Sequence, residues 1–336
     1  MSTLKLDLEN YKELLQEYIR TKDEQALYQA EQFSKQSMQH NISPEEIINV
    51  HIQSLQEIYP EMPDYIQASL NFLLETMISY GMAYQEYQSL RERQLELKSE
   101  ISVAANMQKT LLSTVKPELE ELEVGALSVP AKQMNGDYHH FVYDNEGSLG
   151  IAIADVIGKG VPAALCMSMI KYSMDSFPEM RMDPGVILGS LNRVVERNVD
   201  SSMFITMFYG LYNTNNHTFY YASAGHEPGF YFHKDKGEFE EIDAPGLVLG
   251  VSSEATYHQK QIEVEQGDMI ILLTDGVTEC RQGDRFIEQE EILHVIKSFS
   301  HLPAQEIVEN VYKYFERLQD FQLRDDFTLI ILRRNV

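Results

Sequence analysis

Hydrophobic and polar positions follow two different patterns along the chain, with a change near Pro117. Before it, apolar side chains recur three and four residues apart, as they do from Leu8 to Ile19. A second pattern of the same kind runs from Asp23 to His40. Such spacing places the apolar side chains on one face of a helix. The sequence therefore predicts helices over nearly all of residues 1–110.

A third helix is predicted to begin at Pro44. Ser43 is a favourable N-cap residue, Pro44 suits the first turn, and Glu46 stands where a capping box requires an acidic partner. A further helical pattern begins at about Asp64, and no proline interrupts it before Pro117. This predicts a single long helix.

The second half of that long helix carries a heptad seam. Its positions are spaced alternately four and three residues apart, and seven of the nine are apolar: Ala83, Tyr87, Leu90, Gln94, Leu97, Ile101, Ala104, Gln108 and Leu111. A seam of this kind needs a helix to pack against. It favours a homodimer joined through this stretch, and the alternative is packing against the chain's own domain.

After Pro117 the chain contains short β-branched or aromatic runs with helical patterns between some of them. The predicted strands are Leu122–Ala131, Leu149–Val156, Met203–Tyr212, Thr218–Ala224, Met269–Leu273 and Phe327–Leu332. The predicted helices are Ala163–Phe177, Pro184–Asn198, Glu290–Phe299 and Ala304–Leu318. Strands outnumber helices without regular alternation, which indicates an α+β fold with helices covering antiparallel sheets.

These patterns divide the chain into three parts. Residues 1–84 are expected to form an all-α domain for dimerisation and partner binding. Residues 85–112 are expected to form a coiled-coil-like helical linker. Residues 113–336 are expected to form the α+β domain that carries the chemistry.

Charge and cysteine content narrow the functional classes. The chain has 27 Lys and Arg against 52 Asp and Glu, a net charge of −25, and no basic patch stands out. Nucleic acid and anionic membrane surfaces would repel it. Its two cysteines, Cys166 and Cys280, match no metal or disulfide spacing, and the N-terminus does not resemble a secretory signal. We expect a cytoplasmic protein without a membrane span.

Aspartates at the ends of predicted strands are the candidate chemistry. Asp137 lies in a Gly-Asp-Tyr segment, Asp155 and Asp275 each close an apolar run, and Asp325 and Asp326 precede another. Several carboxylates packed together are costly unless a cation neutralises them. Oxygen ligands alone indicate Mg²⁺ or Mn²⁺. A site for two such ions would suit hydrolysis of a phosphate ester, and the alternative is a structural cation site.

Five short motifs together carry a family resemblance. They are Gly136-Asp-Tyr138, Asp155-Val-Ile-Gly-Lys-Gly160-Val-Pro-Ala, Ala224-Gly-His-Glu-Pro228, Thr274-Asp-Gly-Val-Thr-Glu279 and Asp325-Asp-Phe-Thr328. This set looks like the SpoIIE-type branch of the metal-dependent, type 2C-like serine phosphatases. The resemblance implies an αββα sandwich and a protein serine phosphatase that uses two Mn²⁺ or Mg²⁺ ions.

The resemblance also implies a ligand set. Asp155 resembles the carboxylate that bridges both metals, with the carbonyl of Val156 as an adjacent ligand. Asp275 and Asp325 resemble the terminal ligands of one ion. Asp137 would hold the other side, directly or through water, and would belong with Asp155 to the catalytic centre.

Three further residues are left with open roles. Asp326 stands where many family members outside this branch have Asn. No phosphate-gripping Arg can be placed, which leaves phosphate recognition to the metals, Lys159 or backbone amides. His226 could be the general acid for the leaving serine oxygen, and the alternative is a hydrogen-bonded structural histidine.

The N-terminal half resembles members of this branch that start the sigma-B general stress response. That resemblance implies a phosphoserine substrate on a small anti-anti-sigma factor (RsbV-like) and activation by a kinase-like partner (RsbT-like) on the helical domain. Helical-wheel spacing offers three candidates for the docking surface. Tyr28 lies off the face formed by Leu27 and Phe33, and Ile78 and Met82 lie off the core face of the long helix.

Control is expected to pass along the long helix. The helix after Gly160 carries small and flexible side chains, including Ala163 and Met167, which tolerate alternative packing. We expect partner binding to alter the seam, and the seam to reposition the loop that holds Asp155.

Two other functions compete with a regulated protein phosphatase. One is a Mg²⁺- or Mn²⁺-dependent hydrolase of small phosphoesters. The other is a non-catalytic signalling scaffold, against which the intact aspartate motifs argue.

Overall fold

The chain divides into two compact units with the boundary inside the predicted linker. The computed structural model describes residues 8–40, 42–143, 147–156, 160–177, 183–200, 203–283 and 285–335. The units are Met1–Lys98 and Ser99–Val336. Of the helices described, none combines the length and the apolar character that a membrane crossing requires.

The first unit is helical, as predicted. Its helices are α1 (Leu8–Thr21), α2 (Glu24–Gln39), α3 (Pro44–Ile58) and the first part of α4 (Asp64–Leu111). Tyr11 of α1 packs its ring 5.2 Å from that of Phe33 of α2. The Tyr11 hydroxyl also forms a hydrogen bond of 3.0 Å with Nδ1 of His51 on α3. These contacts join the first three helices.

Two details of the helical unit differ from the sequence prediction. Ser43 is the N-cap of α3, but its side chain makes no capping hydrogen bond, and its carbonyl instead accepts the N–H of Glu46. Leu27 was expected on the core face of α2, yet it is 50% exposed, while Ala26 is buried. Neighbouring helical positions are about 100° apart, so the core face of α2 includes position 26 and leaves position 27 at the surface.

The long helix α4 is continuous over 48 residues, about 70 Å at ~1.5 Å per residue. Its seam divides into two parts. From Ala83 to Leu97 every seam position is exposed, and Tyr87, Leu90 and Leu97 are each 58% exposed. Near the end of the helix, Gln108 is buried. This last part of the seam packs against its own unit, which is the alternative interpretation.

The second unit is built on two five-stranded antiparallel sheets. The first sheet contains, in spatial order, β1 (Leu122–Val129), β12 (Phe327–Arg334), β9 (Met269–Leu273), β6 (Gly229–His233) and β7 (Glu238–Ile242). The second contains β2 (Asp137–Tyr143), β3 (Ser148–Val156), β4 (Ile205–Asn213), β5 (Thr218–Ala224) and β8 (Lys260–Glu263). A small hairpin joins β10 (Arg281–Gln282) to β11 (Arg285–Phe286).

Helices cover the outer face of each sheet. The helices of this unit are α5 (Val161–Asp175), α6 (Pro184–Asn198), the short α7 (Asp275–Thr278), α8 (Gln289–Ser298) and α9 (Ala304–Leu318). A first apolar cluster joins α5 and α6 to the second sheet, and another joins α8 and α9 to the first sheet. A third cluster, which includes Leu122, Phe208, Ile270 and Ile330, lies between the sheets. The expected α+β fold with an αββα sandwich is confirmed.

Several strands were not predicted because their sequences lack the usual pattern. β2 contains His139 and His140, of which His140 is buried and held by Asp175 at 3.0 Å. β7 is largely acidic and mostly exposed. In both cases the pairing with a neighbouring strand, rather than side-chain hydrophobicity, defines the strand.

Candidate functional site

The predicted aspartates lie at strand ends in both sheets. Asp137 opens β2 and pairs in register with Asp155 near the end of β3. In the other sheet, Asp275 follows β9, and Asp325 precedes the neighbouring strand β12. Strand pairing therefore produces two acidic pairs, one in each sheet.

Asp137 links the two sheets. Its side chain is 3% exposed. Its Oδ2 accepts hydrogen bonds from the hydroxyl of Thr274, which follows β9, at 2.7 Å and from that of Thr328 in β12 at 2.6 Å. Those two threonines are also joined through their backbones, because the N–H of Thr274 donates to the carbonyl of Thr328 at 3.1 Å. The carboxylate is thus held by both sheets.

The acidic groups raise one another's pKa. Burial raises the pKa of Asp137 well above its usual value, the hydroxyls of Thr328 and Thr274 oppose this shift, and the charges of Asp155 and Asp326 add to it. Burial likewise raises the pKa of Asp275, and the charge of Asp325 adds to the shift. Negative charge at this site is costly, and a bound cation would relieve that cost.

Asp326 has a positioning role. Its Oδ1 accepts the N–H of Ala131 at 2.7 Å, and its Oδ2 accepts the N–H of Gly136. It therefore fastens the loop before β2 to the start of β12. The side chain of Asp326, whose role the sequence left open, therefore holds backbone N–H groups.

Two glycines allow the backbone to approach closely at this site. A Cβ at Gly136 would lie 3.0 Å from Oδ2 of Asp326 and 3.5 Å from Oδ1 of Asp155. A Cβ at Gly276 would lie only 1.9 Å from the carbonyl oxygen of Asp326. Any larger residue at position 276 would push the Asp275 helix away from β12.

The donor chemistry fits a hard divalent cation. Asp137, Asp155, Asp275 and Asp325 supply only carboxylate oxygens, and the carbonyl of Val156 lies 4.0 Å from the Cβ position of Gly136. Across the described segments, no three His, Cys, Asp or Glu side chains already converge as a metal-holding group.

His226 is buried between elements that carry the acids. Its Nδ1 forms a hydrogen bond of 2.9 Å with the hydroxyl of Thr206, which pairs in register with Asp155. Burial lowers the pKa of His226 to about 4, and the carbonyl of Leu273 opposes this shift. A side chain with this pKa is uncharged at neutral pH and is a poor proton donor to a leaving oxygen. The geometry favours the structural role over the general acid.

Sequence reasoning missed the residues that support the acids. The sequence assigned no role to Thr274 and Thr328, although each stands within an aspartate motif, and that position was the available signal. Lys132 and Arg324 were also missed. They line a cavity of about 510 Å³ that includes Asp325 and Asp326. Lys159, the predicted phosphate contact, lies outside the described residues.

The predicted docking residues differ in exposure. Tyr28 is 62% exposed and Met82 is 67% exposed, so both are available on the surface of the helical unit. Ile78 is half-buried. Tyr28 and Met82 are therefore the more accessible candidates.

Comparisons with known sequences cover both units. A family profile described as "Stage II sporulation protein E (SpoIIE)" matches residues 145–335. A second, described as "Phosphoserine phosphatase RsbU, N-terminal domain", matches residues 9–83. The chain is 56% identical over 328 residues to phosphoserine phosphatase RsbU of Bacillus subtilis (strain 168), covering 98% of each protein. It is 25% identical to Protein IcfG of Synechocystis, covering 70% of this chain and 42% of that protein.

Solved structures with the same fold include two bacterial domains. The SiaA-PP2C domain of Pseudomonas aeruginosa matches with a TM-score of 0.61 at 19% identity, covering 72% of this chain and 99% of that one. The RsbU and RsbW domains of a Mycobacterium tuberculosis protein match with a TM-score of 0.57 at 22% identity, covering 67% and 62%. At this level of identity, the likeness establishes the fold.

The buried His226 predicts acid sensitivity of the folded protein. Its pKa is about 4 in the folded chain against an ordinary 6.5, so its contribution is complete above pH 6.5 and is lost as the pH falls towards 4. At pH 5 this loss amounts to about 2 kcal/mol. Urea unfolding of the metal-free protein between about pH 7 and pH 5 measures it. Burial also lowers the pKa of His139 to about 4, so His226→Gln should remove only its own share of the loss and leave a shallower dependence.

The exposed His301 supplies the matched control, because its side chain faces solvent. His301→Gln should retain the full dependence of unfolding free energy on pH. An equally steep acid loss in His226→Gln and in the unaltered chain would contradict the assignment.

Proposed function

Because this chain belongs to the RsbU family of phosphoserine phosphatases, we propose that it removes phosphate from a phosphoserine on a small anti-anti-sigma protein (RsbV-like). The proposed reaction is hydrolysis of the phosphate ester, with two Mn²⁺ or Mg²⁺ ions as the cofactor. An RsbT-like partner would switch the enzyme on through its helical unit. The proposed role is positive control of the sigma-B stress response.

One observation carries the catalytic part of this proposal. Asp137, which pairs in register with Asp155, is tied to the aspartate-bearing strand ends of the other sheet through Thr274 and Thr328. Two pairs of carboxylates, with a cavity beside Asp325, suit ions that also act on a ligand.

The proposed ligands are the residues expected from the sequence. Asp155 would contact both ions, with the Val156 carbonyl beside it, Asp275 and Asp325 would hold one ion, and Asp137 would serve the other. Such ions, when bound, lower the pKa of a water molecule and screen the charge of the phosphoryl group.

The chain's own groups would orient and attract the substrate. The hydroxyls of Thr274 and Thr328 fix Asp137, so its oxygens do not need to reorganise. Lys132 and Arg324 place positive charge at the cavity beside Asp325. In a chain of net charge −25, these cations would favour entry of a phosphorylated segment.

We place the reaction in the cytoplasm, which suits the buried thiols of Cys166 and Cys280, neither of which forms a disulfide.

The proposal includes a homodimer formed through the exposed part of the α4 seam. Tyr87, Leu90 and Leu97 present an apolar stripe at heptad spacing. Burial of the exposed part of each leucine would contribute on the order of 1 kcal/mol per chain. A second copy of the chain carries the same stripe and would complete the packing.

Asp155→Asn should abolish hydrolysis. Loss of a carboxylate that contacts both ions should lower the turnover of a phosphoserine protein in Mn²⁺ by at least about 10³-fold. Phosphate release is measured alongside that from nucleotides and p-nitrophenyl phosphate, which tests the small-phosphoester alternative. Asp235→Asn, in an exposed turn, is the control and should retain activity. Normal turnover in Asp155→Asn would reject the metal argument.

Leu90→Arg combined with Leu97→Arg should convert the dimer into monomers, because two charges would then face each other across the seam. Size-exclusion chromatography of the full-length protein with light scattering measures the molar mass of the assembly directly. Leu95→Arg is the matched control, since Leu95 is 59% exposed on the same helix but off the seam. Dissociation by the control, or none by the double variant, would refute the seam as the interface.

Tyr28→Glu and Met82→Glu should each abolish activation by the RsbT-like partner. A carboxylate at an exposed apolar contact must be desolvated on docking, which weakens binding by about tenfold or more. The measured quantity is the ratio of phosphatase rates with and without the partner. Tyr59→Glu, exposed on the same unit, should remain activatable. Full activation of both test variants would remove these residues from the docking surface.

A further inference from the structure

Gln108, in the last turn of α4, binds both backbone groups of a single residue, Asn135, in the loop before β2. Its side chain is 5% exposed. Its carbonyl oxygen accepts the N–H of Asn135 at 3.1 Å, and its amide nitrogen donates to the carbonyl of Asn135 at 2.8 Å. One amide side chain therefore satisfies both backbone groups of Asn135. A buried amide without such partners would be costly, so this contact accounts for the burial.

Asn135 passes this contact on to Asp137. Its side-chain oxygen accepts the N–H of Asp137 at 3.0 Å. Its side-chain nitrogen donates to the hydroxyl of Ser128 at 2.8 Å. The Ser128 hydroxyl lies 2.8 Å from that of Thr328, which in turn donates to the Asp137 carboxylate.

In this series of hydrogen bonds, every donor points towards Asp137. Because Thr328 gives its proton to Asp137, the hydroxyl of Ser128 must donate to Thr328, and Asn135 must donate to Ser128. The last hydrogen bond of the series is donated to the Asp137 carboxylate, which favours its charged form. The backbone of Asp137 is held by Asn135 directly, and its carboxylate is held through two hydroxyls.

Gln108 also contacts the helix that follows the other metal-site strand. Its amide nitrogen lies 3.5 Å from the sulfur of Met167, which is fully buried in α5. One side chain of α4 thus touches both the loop before Asp137 and the helix after β3.

We infer that Gln108 is a positioning residue for the metal centre, through which the end of α4 sets the place of Asp137. The inference rests on the proposed function, since it requires Asp137 to serve a divalent ion. Gln108 touches neither substrate nor ion, and acts through Asn135. Removal of such outer contacts lowers metal affinity or activity by about 10–100-fold in other sites.

Manganese binding to the full-length chain tests this directly. Gln108→Met keeps the length of the side chain and removes both hydrogen bonds to Asn135. Gln108→Glu keeps the acceptor but turns the donor into an oxygen that faces the Asn135 carbonyl. Isothermal titration with Mn²⁺ should show a dissociation constant raised about tenfold or more in each variant. The rise in unfolding temperature caused by Mn²⁺ should shrink in parallel.

A double-mutant comparison separates positioning from a general loss of packing. Gln108→Met and Asn135→Ala interrupt the same series of hydrogen bonds. The double variant should therefore bind Mn²⁺ with nearly the same affinity as whichever single variant has the lower affinity. Lys109→Ala, at the adjacent exposed position, should bind Mn²⁺ like the unaltered chain. Should Gln108→Met destabilise the metal-free protein, Gln108→Glu, which fills the same space, decides the question.

The outcomes are distinguishable. Equal Mn²⁺ affinity in the unaltered chain and both Gln108 variants overturns the positioning role alone. Fully additive losses in the double variant also overturn it, because the two residues would then act separately. Failure of the unaltered chain to bind Mn²⁺ or to hydrolyse the phosphoprotein overturns the proposed function and this inference together.

Discussion

The burial of one carboxylate, that of Asp137, is the constraint on which the site depends. An ionised group withdrawn from water is unfavourable unless hydrogen bonds or opposite charge compensate. Here two threonine hydroxyls from the facing sheet supply part of that compensation. They also connect the two sheets at the point where the strands bearing the acids end. A cation bound beside Asp137 would supply the rest.

Close backbone packing around Asp137 follows from the same constraint. Gly276 brings the segment of Asp275 against the backbone of Asp326, and Gly136 lets Asp326 and Asp155 approach each other. The Asp326 side chain is spent on backbone N–H groups of the loop before β2. Of two adjacent aspartates, Asp326 thus fastens the loop, while Oδ1 of Asp325 accepts the N–H of Asp326 at 3.0 Å. Identical side chains acquire different roles because their backbones point them in different directions.

The sequence allowed most of the helices and the strands β3, β9 and β12 to be predicted, because these depend on local periodicity. It also brought Asp155, Asp275 and Asp325 to notice, since each adjoins an apolar run. Other features depend on distant pairing. β2 is a strand because it pairs with β3, despite its two histidines. Thr274 and Thr328 donate hydrogen bonds to Asp137 only because the two sheets pack together. Gln108 matched the heptad spacing as well as its neighbours did, and only the tertiary contact with Asn135 distinguishes it from them.

The bond between Gln108 and the backbone of Asn135 restricts how the length of α4 can change. From Ile101 to Gln108 the helix makes about two turns. An inserted or deleted residue in this segment would rotate the amide by about 100° away from Asn135. An insertion of seven residues would rotate it by only about 20° relative to the seam. Natural variation in the length of this helix should therefore occur in steps of seven residues, which keep both the seam and the contact with Asn135.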